Sequence, residues 1–194
     1  MWGLPLAMSS RTFSLITAVT SDWGIGYKNG LPWPTLKEDL KFLRTKTTST
    51  KDPQKLNATI VGRNTWNAVP PNMRPLPRRF TVVLSSQSKE AFPGAHLVCR
   101  SLGEAVESLS SPPLAEQIES IFILGGYGVY DEALRSPLCD KVYITHVEKQ
   151  FPVDAYFPVQ TFHDEGFKQI SDEGTSSQSI EENGIKYRFV VYKK

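Results

Sequence analysis

An acidic residue interrupts the apolar face of an amphipathic helix near the beginning of the chain. The segment LPWPTLKEDLKFL runs from residue 31 to residue 43, and its hydrophobic spacing predicts a helix over residues 36 to 44. At about 100° per residue, Asp39 projects between Phe42 and Leu43 instead of joining the charged face. A carboxylate in that position loses water and needs a hydrogen-bonding partner. It is either paired inside the fold with a hydroxyl or an arginine, or it lines a ligand pocket.

The sequence also predicts where this helix begins. Thr35 and Glu38 have the spacing of a capping box, in which each side chain hydrogen-bonds to the backbone of the other residue. Pro32 and Pro34 end the segment before it. This start fixes the rotation of the helix, and a helix N-terminus by itself also favours a nearby carboxylate.

Basic and hydroxyl side chains follow three strand-like segments. They are Gly62, Arg63, Asn64 and Thr65 after ATIV, Ser85 and Ser86 after FTVVL, and Arg100 and Ser101 after AHLVC. In open α/β sheets, ligands bind at the carboxyl ends of the strands. Arginine side chains and helix N-termini that converge there suit a phosphorylated ligand with several anionic groups. Each group taken alone also fits an ordinary helix cap or a solvated arginine.

Two further segments have residues that suit binding. The fourth strand end, ILGGYGVY, places Gly125, Gly126 and Gly128 where the backbone can approach a pyrophosphate closely. This is not the G-x-G-x-x-G fingerprint, and a tight strand-to-helix connection explains it equally well. The segment RPLPRRF brings Arg79 and two other arginines to the start of a strand, where one guanidinium can clamp a carboxylate with two hydrogen bonds. An exposed basic loop is the alternative.

The segments that position these residues alternate between strands and helices. Strands are predicted over residues 13–19, 58–62, 80–85, 95–100 and 121–126, and helices over 36–44, 64–69, 102–109 and 127–134. Strand-like segments at 141–148, 167–171 and 186–193 follow with little helix between them, and Asn183-Gly184 indicates a turn. We therefore predict an α/β fold with a single domain: a mostly parallel central sheet, flanking helices and antiparallel C-terminal strands.

Composition narrows the class of protein. The 194 residues suit one domain, and a net charge of +2 is too balanced for a protein dedicated to nucleic acid or to a membrane surface. Cys99 and Cys139 are too few for a disulfide scaffold and lack metal-ligand spacing, so we expect reduced thiols in a cytoplasmic protein without a metal site. His96, His146 and His163 are expected to be structural or surface residues. No secretory signal or membrane-spanning segment is predicted, and residues 1–12 are expected to form a flexible extension before a domain at 13–194.

Taken together, the motifs resemble those of one family. GIGYKNGLPWPTLKEDLKFLRTKT, IVGRNTW, RPLPRRFTVVLS, CRSL, ILGGYGVY, VYITHVE and KYRFVVY occur in the order and spacing of dihydrofolate reductases, between residues 13 and 192. The length and the two extra loops resemble eukaryotic members. The resemblance implies an oxidoreductase that uses NADPH to reduce 7,8-dihydrofolate to tetrahydrofolate for thymidylate and purine synthesis. It also implies a monomer that binds antifolate inhibitors.

For the substrate, the resemblance implies that Asp39 binds the pterin through N3 and the 2-amino group. Trp33 and Thr145 are expected to hold Asp39 and an ordered water, and Arg79 matches the position that binds the α-carboxylate of the glutamate tail. The apolar walls are expected from Ile16, Leu31, Leu36, Leu40, Leu43, Val69, Leu76 and Ile123. The resemblance implies that hydride moves from nicotinamide C4 to pterin C6 while N5 gains a proton. We expect a water to deliver this proton while Asp39 orients the ring.

For the cofactor, the resemblance implies a site that spans several strand ends. The residues near the nicotinamide are expected to be Ala18, Ile25, Gly26 and Tyr130, the last of which joins Asp39, Trp33 and Thr145 as a predicted catalytic residue. The pyrophosphate turn is expected from Gly125, Gly126, Tyr127, Gly128 and Val129 together with Thr65. The pocket around the adenosine and its 2′-phosphate is expected from Arg63, Ser85, Arg100 and Ser101, and Gly62, Asn64 and Leu84 complete the predicted cofactor-binding residues.

Three residues depart from the family pattern. Leu43 stands where many relatives have Phe, Ser86 replaces a basic residue, and Tyr127 is larger than the residue commonly found after the paired glycines. The main alternative is a catalytically silent nucleotide-binding protein of the same fold, which has no reason to keep Asp39. A reductase of the riboflavin pathway is a second alternative, and it should lack both the Leu-Pro-Trp helix and Arg79.

Overall fold

Nine strands form one mixed sheet in a computed structural model that describes residues 11–172 and 178–194. The strands of the described chain are β1 (Phe13–Val19), β2 (Gly24–Gly26), β3 (Leu56–Gly62), β4 (Arg79–Leu84), β5 (Leu97–Cys99), β6 (Ile118–Ile123), β7 (Cys139–Val147), β8 (Ala155–Tyr156), β9 (Lys168–Ile170), β10 (Ile180–Glu182) and β11 (Ile185–Lys193). The α-helices are α1 (Lys37–Thr48), α2 (Arg63–Ala68), α3 (Leu102–Ser110), α4 (Leu114–Gln117), α5 (Tyr127–Arg135) and α6 (Val159–Asp164). Two short 3₁₀ helices cover Pro71–Met73 and Lys89–Ala91. The predicted N-terminal extension lies outside the described residues, except for residues 11 and 12.

The sheet confirms the predicted fold class. Its order is β10-β11-β7-β1-β6-β3-β4-β5, and β9 pairs with β11 outside this path. The neighbours from β7 to β5 are parallel, whereas β11 runs antiparallel to β7, β9 and β10. β2 and β8 form a separate antiparallel pair. The carboxyl ends of β1, β6, β3, β4 and β5 therefore lie side by side along one edge, where the sequence predicted a ligand.

The two faces of the sheet bury different clusters. Leu15 and Val19 of β1 belong to the largest core cluster, together with apolar residues of α3 and α5. Ile16 belongs to a separate cluster, against which Phe42 and Leu43 of α1 pack. Full burial of one such side chain contributes about 1.5–3 kcal/mol. The alternation within β1 therefore fixes which residues can reach a ligand beside α1.

Helix α1 differs from its prediction at both ends. It runs from Lys37 to Thr48, whereas the predicted helix ended at residue 44, and the residue before it, Leu36, makes no side-chain cap. The predicted capping box of Thr35 and Glu38 is therefore wrong. The carboxylate of Glu182 instead accepts hydrogen bonds from the backbone N–H of Lys37, at 2.9 Å to each oxygen. A residue distant in sequence thus replaces the local cap.

Other local predictions agree with the structure more closely. Ser101 caps α3 by accepting a hydrogen bond from the backbone N–H of Glu104 at 3.1 Å. Asn183 and Gly184 have φ angles of 55° and 71°, which suit the two-residue turn between β10 and β11. The short helices α4 and α6, of four and six residues, are not among the predicted helices.

Candidate active site

Asp39 lies in the first turn of α1 and is buried, with 8% of its surface exposed. Burial is the main cause that raises the pKa of its carboxyl group, and the negative charge of Glu182 raises it further. A hydrogen bond with the Thr145 hydroxyl of β7 acts in the opposite direction. Among the described residues, no arginine or lysine forms an ion pair with Asp39 within 4.0 Å. The carboxylate therefore keeps acceptor capacity for a further partner.

Trp33 forms the base of the site beside α1. It is buried with Leu36, Tyr187 and Phe189 in one cluster. Its indole N–H has no hydrogen-bond acceptor among the described residues. A buried indole N–H normally finds a partner, so this donor suits a water or a polar atom of a ligand next to Asp39.

Leucine side chains in α1 and in the segment before it are more exposed than the acid. Leu31 and Leu40 have 54% and 40% of their surface exposed, although Asp39 beside Leu40 is buried. Leu43 is half-buried against the cluster that contains Ile16. Exposed apolar side chains therefore lie beside a buried acid, a combination that suits a flat apolar ring with polar edges.

Two predicted wall residues lie elsewhere. Ile123 is completely buried in the core cluster shared with α3 and α5, so the prediction that it lines the cleft is wrong. Leu124, the next residue, packs instead with the cluster that contains Ile16. Leu36 is also buried, beneath α1 with Trp33 rather than on the open wall. Val69 and Leu76 are half-buried.

Arg79 is a buried cation without an acidic partner among the described residues. Only 7% of its surface is exposed, and its Nε and Nη1 atoms donate to the carbonyl oxygen of Pro77 at 3.1 Å and to the hydroxyl of Thr47 at 3.0 Å. Burial lowers the pKa of Arg79, and the positive charge of Arg44 lowers it further. A guanidinium that is held in one orientation and carries unbalanced positive charge suits a ligand carboxylate.

The predicted cofactor residues lie along the edge formed by the strand ends. Ala18 is near the end of β1, and Gly125 and Gly126 follow β6. The remaining residues are Gly62, Arg63, Asn64 and Thr65 at the end of β3, Leu84 and Ser85 at the end of β4, and Arg100 and Ser101 after β5. Five adjacent strands at about 4.8 Å spacing span about 19 Å. Arg63 and Arg100 are exposed, and neither has an ion-pair partner among the described residues. This edge fits an elongated ligand with phosphate groups.

The turn after β6 brings its backbone close to the end of β3. The N–H of Gly62 donates to the carbonyl of Gly125 at 2.7 Å, which joins the ends of β3 and β6. A Cβ atom on Gly126 would lie 3.4 Å from the Thr65 hydroxyl. Helix α5 begins directly after this turn, so its first N–H groups face the edge. Tyr127, whose orientation the sequence left open, is 57% exposed, whereas Gly128 and Val129 continue the first turn.

Tyr130 supports this turn from inside the core. Its ring is 4% exposed, and its hydroxyl donates to the carbonyl of Ile16 at 2.9 Å. Burial raises its pKa strongly, so the phenol stays protonated at neutral pH. Tyr130 therefore suits a positioning role between β1 and the glycine turn, and not the role of a proton donor.

Gly125→Ala is expected to lower the free energy of unfolding by about 2–5 kcal/mol, from backbone strain and overpacking. Gly125 has a φ of 101°, and an added Cβ would lie 2.8 Å from the Tyr130 ring. Gly128→Ala is the control, because no atom lies within 4 Å of a Cβ at that helical position. We expect it to leave stability unchanged or to raise it. Urea unfolding of both variants tests this, and equal stabilities would contradict the proposed crowding.

The segment between β1 and α1 is anchored by Trp23. Its ring stacks on Phe157 with centroids 5.9 Å apart and meets His146 edge-on at 5.5 Å. Its carbonyl accepts a hydrogen bond from the N–H of Phe157 at 2.8 Å. Ile25 and Gly26 follow in β2, which pairs with β8. These contacts anchor the predicted nicotinamide loop, and the sequence analysis missed Trp23 because its partners are distant in sequence.

Acidification is expected to destabilise the protein through His146. This side chain hydrogen-bonds to the Tyr192 hydroxyl at 2.9 Å, and burial, helped by Arg188, lowers its pKa from 6.5 to about 4. The unfolded chain takes up the proton first, so this stability is complete above pH 6.5 and is lost as the pH falls towards 4. Between pH 7 and 5 the loss is about 2 kcal/mol at most. Urea unfolding at pH 7 and pH 5 measures this loss. The free energy of unfolding should decrease less between the two pH values in His146→Gln than in the control His163→Gln.

The fold and the site together define an α/β protein with a buried acid in α1, a buried arginine in β4 that has no acidic partner among the described residues, and a long edge of strand ends. Residues 12–194 match the family of dihydrofolate reductases. The chain is 39% identical to the dihydrofolate reductase of Aedes albopictus over 186 residues, covering 95% of this chain and 98% of that protein. The enzyme of Sus scrofa is 37% identical over 185 residues, with coverage of 95% and 98%.

A solved structure agrees with these sequence comparisons. The dihydrofolate reductase of Schistosoma mansoni superimposes with a TM-score of 0.81 at 32% identity, covering 95% of this chain and 99% of that one. The chain belongs to the dihydrofolate reductase family, and the resemblance found in its motifs is confirmed.

Proposed function

We propose that the protein reduces 7,8-dihydrofolate to 5,6,7,8-tetrahydrofolate with NADPH. The observation that carries the proposal is the buried carboxylate of Asp39, which lies next to the exposed Leu40 and, among the described residues, has no cation in ion-pair contact. A pterin offers this acid two parallel N–H donors, from N3 and the 2-amino group. Two charge-assisted hydrogen bonds would offset the loss of water around the carboxylate.

The rest of the substrate is matched by the residues farther along the cleft. The apolar walls at Leu31, Leu40 and Leu43 suit the ring system, and Arg79 suits the α-carboxylate of the glutamate tail. The indole N–H of Trp33 suits a water that bridges to the pterin. In this arrangement Asp39 orients the ring, and a water delivers the proton to N5.

The edge of strand ends fits NADPH. The glycine turn and the start of α5 suit the pyrophosphate, and the exposed Arg63 and Arg100 suit a 2′-phosphate. NADPH held by these residues would supply a hydride for pterin C6. Holding both rings in contact removes orientational freedom, a contribution of up to about 7–11 kcal/mol in well-oriented reactions.

The cellular part of the proposal follows from the family. We propose a monomer in the cytoplasm that supplies one-carbon carriers for thymidylate and purine synthesis and binds antifolates. In the described part of the chain, no helix has the length and apolar character needed to cross a bilayer.

One assay tests the activity. The protein is mixed with NADPH and dihydrofolate, the near-ultraviolet absorbance of NADPH is followed, and the reaction is repeated with methotrexate. A decrease in absorbance that methotrexate prevents supports the proposal. NADPH that quenches tryptophan fluorescence without turnover would instead indicate the catalytically silent nucleotide-binding protein.

A further inference from the structure

The first turn of α1 depends on a side chain from the C-terminal hairpin. A helix begins with backbone N–H groups that lack partners within the helix. At the start of α1 the carboxylate of Glu182 accepts from Lys37 N at 2.9 Å through both oxygens and lies 3.4 Å from Glu38 N. The residue at the N-cap position, Leu36, contributes no side-chain hydrogen bond. Glu182 therefore performs the capping that the local sequence does not.

The carboxylate of Glu182 is itself held in place. The hydroxyl of Tyr187 donates to it at 3.0 Å, and Tyr187 is completely buried next to Trp33 and Leu36. Glu182 ends β10, and the tight turn that follows connects it directly to β11. The cap is thus fixed to the sheet rather than to a loose loop.

The same strand also fixes the partner of the acid. In β11, Phe189 lies opposite Thr145 of β7, and the Thr145 hydroxyl lies near enough to Asp39 to lower the pKa of its carboxyl group. Asp39 is therefore held from two sides, through its hydroxyl partner and through the backbone start of its helix. Both supports belong to the β7–β11–β10 part of the sheet.

We propose that Glu182 is a positioning residue, which sets the start of α1 and thereby the direction in which Asp39 faces the cleft. Its kinetic consequence depends on the proposed reduction of dihydrofolate, whereas its effect on the helix does not. Shortening or neutralising this side chain lets the first turn of α1 move and misplaces the carboxylate that orients the substrate.

Glu182 also acts on Asp39 through its charge. The titratable or charged groups around this part of the site are Lys37 and Glu38 on α1, Glu182 on β10 and Tyr187 on β11. Hydrogen bonds from the backbone of Lys37 lower the pKa of Glu182, so Glu182 is ionised at neutral pH. Its negative charge contributes to the raised pKa of Asp39. Removal of this charge should therefore lower the pH at which Asp39 titrates.

Three variants test the proposal in the full chain. Glu182→Ala removes both cap and charge, and Glu182→Gln removes the charge but keeps an acceptor oxygen. Glu181→Gln is the matched control, because Glu181 is an exposed neighbour in the same strand whose side chain points to the other face. The measurements are thermal unfolding, kcat and KM for dihydrofolate, and the ¹³C NMR titration of the Asp39 carboxyl group, assigned with Asp39→Asn.

We expect kcat/KM to fall about fivefold to tenfold in Glu182→Ala, the factor that corresponds to a lost helix cap. The decrease in kcat/KM should be smaller in Glu182→Gln. In both variants Asp39 should titrate at a lower pH than in Glu181→Gln. Lower thermal stability with unchanged kcat/KM and unchanged Asp39 titration would overturn the proposal, because it would show a purely structural cap. If the unmodified protein does not reduce dihydrofolate, the proposed function fails, and the NMR titration still decides whether Glu182 acts on Asp39.

Discussion

Asp39→Asn is expected to lower kcat/KM for dihydrofolate about 10²- to 10³-fold, the range typical for loss of a group that stabilises charge or moves protons. The asparagine amide keeps one acceptor, but its NH₂ group would face the N–H donors of the pterin. The ring then loses its orientation relative to the hydride donor. Steady-state kinetics across pH should also show that the pH dependence contributed by this carboxyl group is absent.

Stability separates this loss from misfolding. Burial raises the pKa of Asp39, so at neutral pH the ionised side chain costs folding free energy relative to a neutral one. Asp39→Asn should therefore be at least as stable as the unmodified protein, and its affinity for NADPH should be unchanged. Glu38→Gln, at an exposed acid in the same helical turn, is the control. A variant Asp39→Asn with full activity and an unchanged pH profile would refute the assigned role.

Arg79→Leu is expected to raise KM for dihydrofolate at least about 30-fold, because loss of one partner of a buried charge pair costs about 2–5 kcal/mol. The effect on kcat should be small, because the glutamate tail is bound far from the reacting ring. Its binding energy is the same in the substrate complex and in the transition state. Thr47 donates to the Leu43 carbonyl at 2.7 Å and accepts from Arg79, which holds the guanidinium in one orientation.

A truncated substrate gives the matching test. A 7,8-dihydropterin without the glutamate tail should be reduced equally well by the unmodified protein and by Arg79→Leu. Arg78→Leu, at the exposed preceding residue, should leave KM for dihydrofolate unchanged. If Arg79→Leu raised KM for the truncated substrate as much as KM for dihydrofolate, Arg79 would act on the shape of the substrate site and not on the carboxylate.

Features written in the local sequence were predicted well. Continuous apolar segments separated by helical periods indicated the parallel part of the sheet, and Asn183-Gly184 indicated the hairpin at its edge. Asp39 was recognised because it breaks the periodicity of its own helix. The structure places it in a buried position, as that break requires.

Features that depend on distant contacts were not predicted. The cap of α1 comes from Glu182, 145 positions away, while the local sequence offers a capping box that does not form. Ile123 and Leu124 belong to the unbroken apolar run IFIL, which has no polar alternation to show which side chain faces the cleft. The core position of Ile123 follows from its pairing with Leu15 of β1 and Ile60 of β3, both completely buried.

The edge of five strand ends has a consequence for how this protein can evolve. Each segment of the proposed cofactor depends on a different strand-to-helix connection, and the connections after β4 and β5 are about 14 and about 19 Å from β1. If the proposed sites are correct, substitutions after β4 and β5 change coenzyme preference without disturbing the proposed folate site. Conversely, mutations at Leu40 or Leu43 then reshape the proposed folate site while the proposed coenzyme site persists, so selection can act on the two properties independently.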